Sequence, residues 1–261
     1  GATPVITAIT TDPGASAVDF ITSDNTLIFS GTADPNCSIR LYNDGVSIGT
    51  TTSNGSGAWS IDYTGTSISD GTHNMIVTAV DSAGNVVTAP PITVTGDRTA
   101  PVITNATVSD IIMVLTYSDA NQLDAVNKAG TGAFTVLDNG TPIAVSSVAV
   151  DASNNTIMLT LASPVTAGNP VTVSYADTSG GTNATQDSAG NDAVSLVNYA
   201  VTNNTTAIVA PVITNVSGST WFNKGDSAVS VFSSAPAPTI TDANDTYMES
   251  AAITITTNRQ T

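Results

Sequence analysis

Short stretches in which apolar or β-branched residues alternate with polar ones run along the N-terminal part of the chain, and turn-forming residues separate them. Alternation with a period of two predicts strands that bury one face. The predicted strands of this part are Thr26–Ser30, Ser38–Asn43, Val46–Thr51, Ala58–Tyr63, His73–Val80 and Val86–Thr95. Their number and spacing are typical of a β-sandwich.

The pattern continues in the middle of the chain, where only the stretch Ala120–Ala129 is compatible with a helical turn. Tight hairpins are predicted at Asn43–Gly45 and at Asp138–Gly140, because Asp-Gly and Asn-Gly pairs readily adopt positive φ angles. The predicted strands of this part are Ile111–Tyr117, Phe134–Leu137, Ile143–Val150, Thr156–Leu161 and Val171–Tyr175.

Two short strings recur along the chain. Ala-Pro-Val-Ile-Thr occurs at Ala100–Thr104 and Ala210–Thr214, with a near copy at Thr3–Thr7, so that the three prolines are 97 and 110 residues apart. This period suits seven-stranded sandwiches and is too long for a solenoid repeat. Asp-Ser-Ala-Gly-Asn occurs at Asp81–Asn85 and Asp187–Asn191, late in each of the first two periods. We predict domains at residues 1–97 and 98–208 and the first part of a third domain at 209–261.

The composition agrees with an all-β fold. Of the 21 acidic residues only Glu249 is a glutamate, and there are 5 basic residues, although helix surfaces normally use Glu and Lys. Abundant Gly, Asn, Asp, Ser and Thr serve turns and strands instead. Cys37 is the only cysteine, which excludes an internal disulfide.

A formal net charge of −16 makes cations plausible partners and nucleic acid or an anionic membrane implausible ones. We find no apolar run of about 18 residues. We therefore expect no membrane insertion, and we expect any export signal to lie outside this sequence.

The motifs of the first domain resemble the immunoglobulin-like repeats of large bacterial biofilm adhesins. They include Ser30–Ala33, Gly57–Ser60, Asp70–His73 and Asp81–Asn85, in this order. The resemblance implies tandem immunoglobulin-like Greek-key sandwiches in an elongated rod, on the extracellular side of a bacterial cell surface. It implies a role as a non-catalytic extender between a cell-anchored end and a ligand-binding end.

The second domain resembles a different repeat, named after the cyanobacterial swimming-motility surface protein. The resemblance lies in Leu115–Tyr117, Gly132–Val136 and Val171–Tyr175. The stretch Ile240–Asp245 resembles the opening of cadherin-like repeats in calcium-dependent exoproteins.

The sequence offers little for catalysis. A nucleophilic triad needs a base, and His73 is the only histidine, placed at the head of an apolar strand where a packing or turn role is expected. Paired carboxylates for glycoside hydrolysis require aromatic-lined clefts, whereas aromatic residues make up 5% of the chain and Trp59 is expected in the core. We predict that the chain is not an enzyme.

Calcium is the predicted cofactor, since its ligands are carboxylates, carbonyls and water. Asp81 and Asp187 of the repeated string have two possible roles, capping a turn and binding the ion. The two roles do not exclude each other. No linear Asp-x-Asp-x-Asp-Gly loop occurs, so any site is assembled from separate loops. Asp97 is the leading candidate, because Asp97–Pro101 resembles the acidic junction of calcium-linked adhesin repeats. The full set of candidate ligands is Asp97, Asp81, Asp12, Asp24, Asp187, Asp242 and Asp245.

Sequence reasoning leaves two other functions open. One is a carbohydrate-binding module attached to an extracellular polysaccharide-active enzyme, and the other is a subunit of a surface layer or fibre that assembles through strand edges. For the extender, the expected partners are neighbouring repeats of the same chain and calcium ions, and the fragment is expected to be monomeric.

Overall fold

Strands dominate the computed structural model of the chain, which describes residues 1–177 and 183–207 together with the backbone of 212–214 and 239–241. Gly1–Thr205 form one compact unit and Thr206–Thr261 a second. The described part of the second unit is a pair of antiparallel strands, Val212–Thr214 and Thr239–Thr241. The described part of the chain contains no helix with the length and apolar character that a membrane-spanning helix needs.

The first sandwich packs two sheets against each other. Its strands are β1 (Val5–Thr10), β2 (Ile21–Thr22), β3 (Ile28–Thr32), β4 (Ser38–Asn43), β5 (Val46–Thr52), β6 (Ala58–Asp62), β7 (Gly71–Val80), β8 (Val86–Thr88) and β9 (Ile92–Gly96). One sheet has the order β1-β3-β6 and the other the order β2-β9-β7-β4-β5, with β8 beside β7. The short β2 runs parallel to β9, the last strand of the sandwich.

Alternation along these strands produces the core between the two sheets. Phe29, Ile39 and Leu41 are 0% exposed, while their neighbours along each strand face outward. Trp59 is 4% exposed and lies against Gly31, where an added Cβ would come within 2.4 Å of the indole ring. The expected core position of Trp59 is therefore confirmed, and Gly31 provides the space for it.

The second sandwich is formed by one curled sheet. Its strands are β10 (Val102–Ser109), β11 (Ile112–Ser118), β12 (Phe134–Asp138), β13 (Thr141–Ile143), β14 (Val145–Asp151), β15 (Thr156–Leu161), β16 (Val171–Tyr175) and β17 (Leu196–Asn203). Their order is β13-β12-β16-β17-β10-β11-β15-β14, and β10 and β17 pair in parallel. A second core, centred on Leu115, Leu159 and Val173, lies between the two halves of this sheet.

The predicted hairpins are confirmed. Asp44 and Gly45 link β4 to β5 with φ angles of 50° and 82°, and Asn139 and Gly140 link β12 to β13 with 47° and 81°. The all-β sandwich prediction is also confirmed, although the predicted strand Val86–Thr95 is two strands, because Pro90 and Pro91 interrupt it.

The stretch Ala120–Ala129, which the sequence leaves compatible with a helical turn, forms none. This stretch is irregular and carries a single bridge between Leu123 and Asp187. The carboxylate of Asp124 accepts from the backbone N–H groups of Val126 and Asn127, which closes a side-chain-capped turn in place of a helix. The domain limits at 97 and 208 stay a prediction.

Candidate metal centre at the junction of the sandwiches

The repeated string forms the same turn in both sandwiches. Oδ1 of Asp81 accepts from the backbone N–H groups of Ala83 and Asn85 at 2.8 and 2.9 Å, and Oδ2 accepts from the side-chain amide of Asn85 at 2.8 Å. Asp187 makes the equivalent three bonds at 2.9, 2.9 and 2.8 Å. Gly84 and Gly190 have φ angles of 86° and 87°. The predicted capping role of both aspartates is confirmed.

The surroundings of the two turns differ. The turn of the first sandwich is largely exposed, whereas the turn at 187–191 is packed against the first sandwich. There the carbonyl of Ser188 accepts from Ala15 N–H at 3.4 Å, and the carbonyl of Ala189 accepts from Ser23 N–H at 3.1 Å. Gly14 has a φ of 97°, and a Cβ on it would lie 2.1 Å from the Ser188 carbonyl oxygen. Close backbone approach therefore holds the two sandwiches together here.

Asparagine side chains extend this junction. Asn127 donates to the Gly14 carbonyl at 2.7 Å, and Asn191 donates to the Asp97 carbonyl at 2.9 Å. Asn121 donates to the carboxylate of Asp97. Asp97 thus lies between groups of the second sandwich, although it directly follows β9 of the first.

Three carboxylates meet at this junction. Asp97 follows β9, Asp119 follows β11, and Asp187 begins the second copy of the turn; one carboxylate oxygen of each lies within 4.8 Å of the others. Asp97 and Asp187 are 3% and 0% exposed. The structure thereby brings together two predicted ligands, and adds Asp119, which sequence reasoning missed.

Burial and nearby charge raise the pKa of two carboxylates of this cluster, Asp187 and Asp119. Burial raises the pKa of Asp187 to about 6, with a further contribution from the charges of Asp119 and Asp97, and against the bonds from Asn191. The pKa of Asp119 is raised by burial and by the charge of Asp97. The pKa of Asp81 is lowered by the bonds from Asn85, because its copy of the turn is exposed. The same turn thus gives opposite shifts in two environments.

No basic side chain compensates the three carboxylates within the described residues. Arg98, which follows Asp97, instead pairs with Asp70 at 2.9 Å and donates to the Ile68 carbonyl at 3.0 Å. Within the described residues, the other contact between a basic side chain and a carboxylate joins the ring of His73 to Asp44.

The cluster fits a hard divalent cation. Oδ2 of Asp119 is buried and accepts no hydrogen bond, so it has free lone pairs inside the junction. Asp119 Oδ1 is held by Asn121 N–H at 2.8 Å, which fixes the orientation of the carboxylate. An all-oxygen ligand set matches Ca²⁺ or Mg²⁺ rather than a thiolate-preferring metal.

The remaining candidate ligands are not part of this cluster. Asp24 is engaged within its own loop, where its two oxygens accept from Thr11 and Thr26. Asp12 accepts from Phe20 N–H at 3.2 Å, and burial raises its pKa to about 6. Asp81 lies in the exposed turn. Asp242 and Asp245 lie outside the described residues, as does the cadherin-like stretch beyond Thr241.

Two side chains weighed for other chemistry have structural roles. His73 is buried near the start of β7, and its ring contacts the carboxylate of Asp44 at 3.2 Å and the Ser69 carbonyl at 3.0 Å. Trp59 is buried in the core and offers no face on which a sugar ring could stack.

The solved structures with similar folds named below are about 20% identical to this chain in sequence. The N-terminal part of the bacterial S-layer protein SbsC is 21% identical, with 56% of this chain and 31% of that chain covered and a TM-score of 0.33. A biofilm-associated protein domain is 18% identical, covers 72% and 29%, and has a TM-score of 0.24. A Ca²⁺-stabilized adhesin with which an Antarctic bacterium binds ice is 20% identical, covers 80% and 52%, and has a TM-score of 0.30.

The chain spans at most 31% of the length of the first three such structures. TM-scores this low carry no information about function. A comparison with curated proteins finds no match.

Family models match both sandwiches. Residues 2–98 match the family described as "Bacterial Ig-like domain". Residues 96–180 match the one described as "Putative flagellar system-associated repeat". Both resemblances noted in the sequence are confirmed, together with the immunoglobulin-like fold of the first domain. Each model covers less than half of the chain, so residues 2–98 are similar to the bacterial Ig-like family and residues 96–180 to the second family.

Proposed function

We propose that the chain is a non-catalytic extender segment of a secreted bacterial surface adhesin, and that a calcium ion at Asp97, Asp119 and Asp187 stiffens the junction of its two sandwiches. The convergence of these three carboxylates carries the proposal. Each comes from a different segment, so an ion bound to all three ties the end of β9 to two loops of the second sandwich.

Charge supports the same role. Three nearby carboxylates repel one another, and the pKa of Asp187 is raised mainly by burial and further by this repulsion. A divalent cation would remove the repulsion only when the two sandwiches are docked, because Asp97 and the other two ligands belong to different sides of the junction. Binding would therefore favour the docked arrangement over a hinged one.

Calorimetric titration of the full chain with Ca²⁺ tests the proposal. We expect binding with a Kd of about 10⁻⁴ to 10⁻³ M, typical of extracellular modules. Asp119→Asn should weaken it at least about tenfold, since it removes one charged ligand. Asp34→Asn is the control, because it removes a carboxylate from a loop after β3 that lies outside the cluster.

An absence of binding up to about 10 mM calcium, or equal affinities for the two variants, would contradict the role of the ion. The extender role has its own test in small-angle scattering. A radius of gyration near the roughly 18 Å of a single globule of this length would contradict an elongated segment. Calcium should raise the radius of the wild type and leave that of Asp119→Asn unchanged.

A further inference from the structure

The turn Asp81–Asn85 presents to solvent the backbone groups that its copy uses to hold the first sandwich. Ser82, Ala83 and Gly84 are exposed. In the copy, Ser188 is 9% and Ala189 is 0% exposed. The two turns share their sequence and their internal hydrogen bonds. The chain thus contains two copies of the same turn surface. The copy at 187–191 is covered by the first sandwich, and the copy at 81–85 is exposed.

The structure around each turn is repeated as well. The flanking residues pair in both cases, Val80 with Val86 and Gln186 with Asp192. The first two long strands of each sandwich pair with the same register shift, between Ile6 and Ala8 in one and between Ile103 and Asn105 in the other. Each turn is therefore closed by paired flanking residues, and the first long strands of the two sandwiches match as well.

The exposed turn has unused hydrogen-bonding groups where the covered turn uses them. Within the described residues, no hydrogen bond reaches the carbonyls of Ser82 or Ala83, whereas those of Ser188 and Ala189 each accept one from the first sandwich. The side chain of Asn85 donates to Asp81 alone. The side chain of Asn191 donates also to the carbonyl of Asp97.

The start of the chain lies beside the exposed turn. Gly1, Asp34, Asp81 and Asn85 line one hollow of about 100 Å³, and Ala2 N–H donates to Asp34 at 2.7 Å. This hollow is smaller than typical organic-ligand pockets, so a protein segment suits the surface better than a small molecule.

We propose that Asp81–Asn85 is a docking surface for the loop end of another β-sandwich, joined ahead of residue 1. The proposal rests on the proposed role as one member of a row of sandwiches, but it does not require the cation. The partner must offer what the first sandwich offers to the second. This is a glycine at positive φ equivalent to Gly14, two free N–H groups after it equivalent to those of Ala15 and Ser23, and a carbonyl equivalent to that of Asp97.

Extending the full chain with a second copy of residues 1–97, joined directly to Gly1, tests this. The copy of Asp97 then lies four residues before Pro4, the separation between Asp97 and Pro101. In a Cys37→Ala background, Ser82→Cys in the original segment places a thiol on the turn. Its rate of maleimide labelling is compared in the original and the extended chains, and Ser188→Cys in the original chain serves as the reference for a covered turn.

We expect the introduced thiol at position 82 to be labelled at least about tenfold more slowly in the extended chain, because docking covers it. Gly14→Ala in the added copy should restore fast labelling. Gly45→Ala in the added copy should leave labelling slow, because a Cβ at Gly45 meets nothing within 4 Å. It is a matched control, since both substitutions place an alanine at positive φ.

Slow labelling in either EDTA or calcium supports the docking surface. Fast labelling of position 82 in both solutions, with slow labelling of the position 188 reference, would overturn it. The calcium affinity of Asp119→Asn tests the proposed function, and the labelling rate at position 82 tests the docking surface. Because the two measurements are independent, failure of one proposal can be told from failure of the other.

Discussion

The side-chain amide of Asn191 donates to the backbone carbonyl of Asp97 across the junction, at 2.9 Å. Asn191 also donates to Asp187 within its own turn, and its counterpart Asn85 donates to Asp81 in the same way. Within the part of the chain that the structure describes, Asn85 has no bond that corresponds to the one between Asn191 and Asp97. The two asparagines therefore form a natural pair for measuring the strength of the junction.

Asn191→Ala should destabilise the protein more than Asn85→Ala does. Both variants lose the bond to their own aspartate, and only the first loses the bond to Asp97. We expect a difference of about 1 kcal/mol in the free energy of unfolding, measured with denaturant. Equal losses would show that the bond between the sandwiches adds no stability.

The stability of the calcium-free protein should fall as the pH rises from about 4 to about 7. The folded-state pKa of Asp187 is about 6, above its ordinary value of 3.8. Its contribution is therefore fully present below about pH 4 and is lost as the pH rises through 6. Asp12, also raised to about 6, acts with the same sign.

Denaturant unfolding at pH 4.5 and pH 7 in EDTA measures this fall. Calcium at about 10 mM should reduce it, since the ion replaces the proton at the cluster. Asp187→Asn should also flatten the dependence, because an amide does not titrate. A stability that rises over the same interval in EDTA would contradict the assignment.

Each sandwich should unfold as its own cooperative unit, because each has a separate core. Leu41 and Leu159 are both 0% exposed, one in each core, and truncation of either to alanine should cost about 2–5 kcal/mol. In calorimetry, Leu41→Ala should lower one transition and Leu159→Ala the other. A single transition that both variants shift equally would contradict this division, as would proteolysis within strands before the linkers near 96–100 and 203–210.

Local sequence signals predicted the parts of the fold that local physics decides. The φ-positive pairs at Asp44–Gly45 and Asn139–Gly140, and the aspartate-capped turns at 81 and 187, depend on neighbouring residues only, and all are confirmed. The strands β1, β10 and β17 were not predicted, because their polar and apolar residues alternate less regularly, and pairing with neighbouring strands defines them.

The candidate site was only partly accessible to sequence reasoning. Asp97 and Asp187 stood out through a junction motif and a repeated string. Asp119 lies in no repeated motif. Only the pairing of the preceding residue, Ser118, with Val102 brings it near Asp97, because Val102 begins the second sandwich and is close to Asp97 along the chain. That pairing is a tertiary fact. Asp24 shows the converse, since nearby threonines satisfy its carboxylate.

The parallel pairing of the last strand with a strand near the start of each sandwich has a mechanical consequence. β2 pairs with β9 through Ile21–Thr95 and Thr22–Gly96, and β10 pairs with β17 through Thr107–Thr202 and Val108–Asn203. When the two ends of such a sandwich are pulled in opposite directions, parallel terminal strands slide along each other, so their hydrogen bonds are strained in shear and must rupture together. Antiparallel terminal strands would instead peel apart one bond at a time. The second sandwich is closed by the arrangement that resists extension, and in the first sandwich β2 and β9 form the same arrangement after β1.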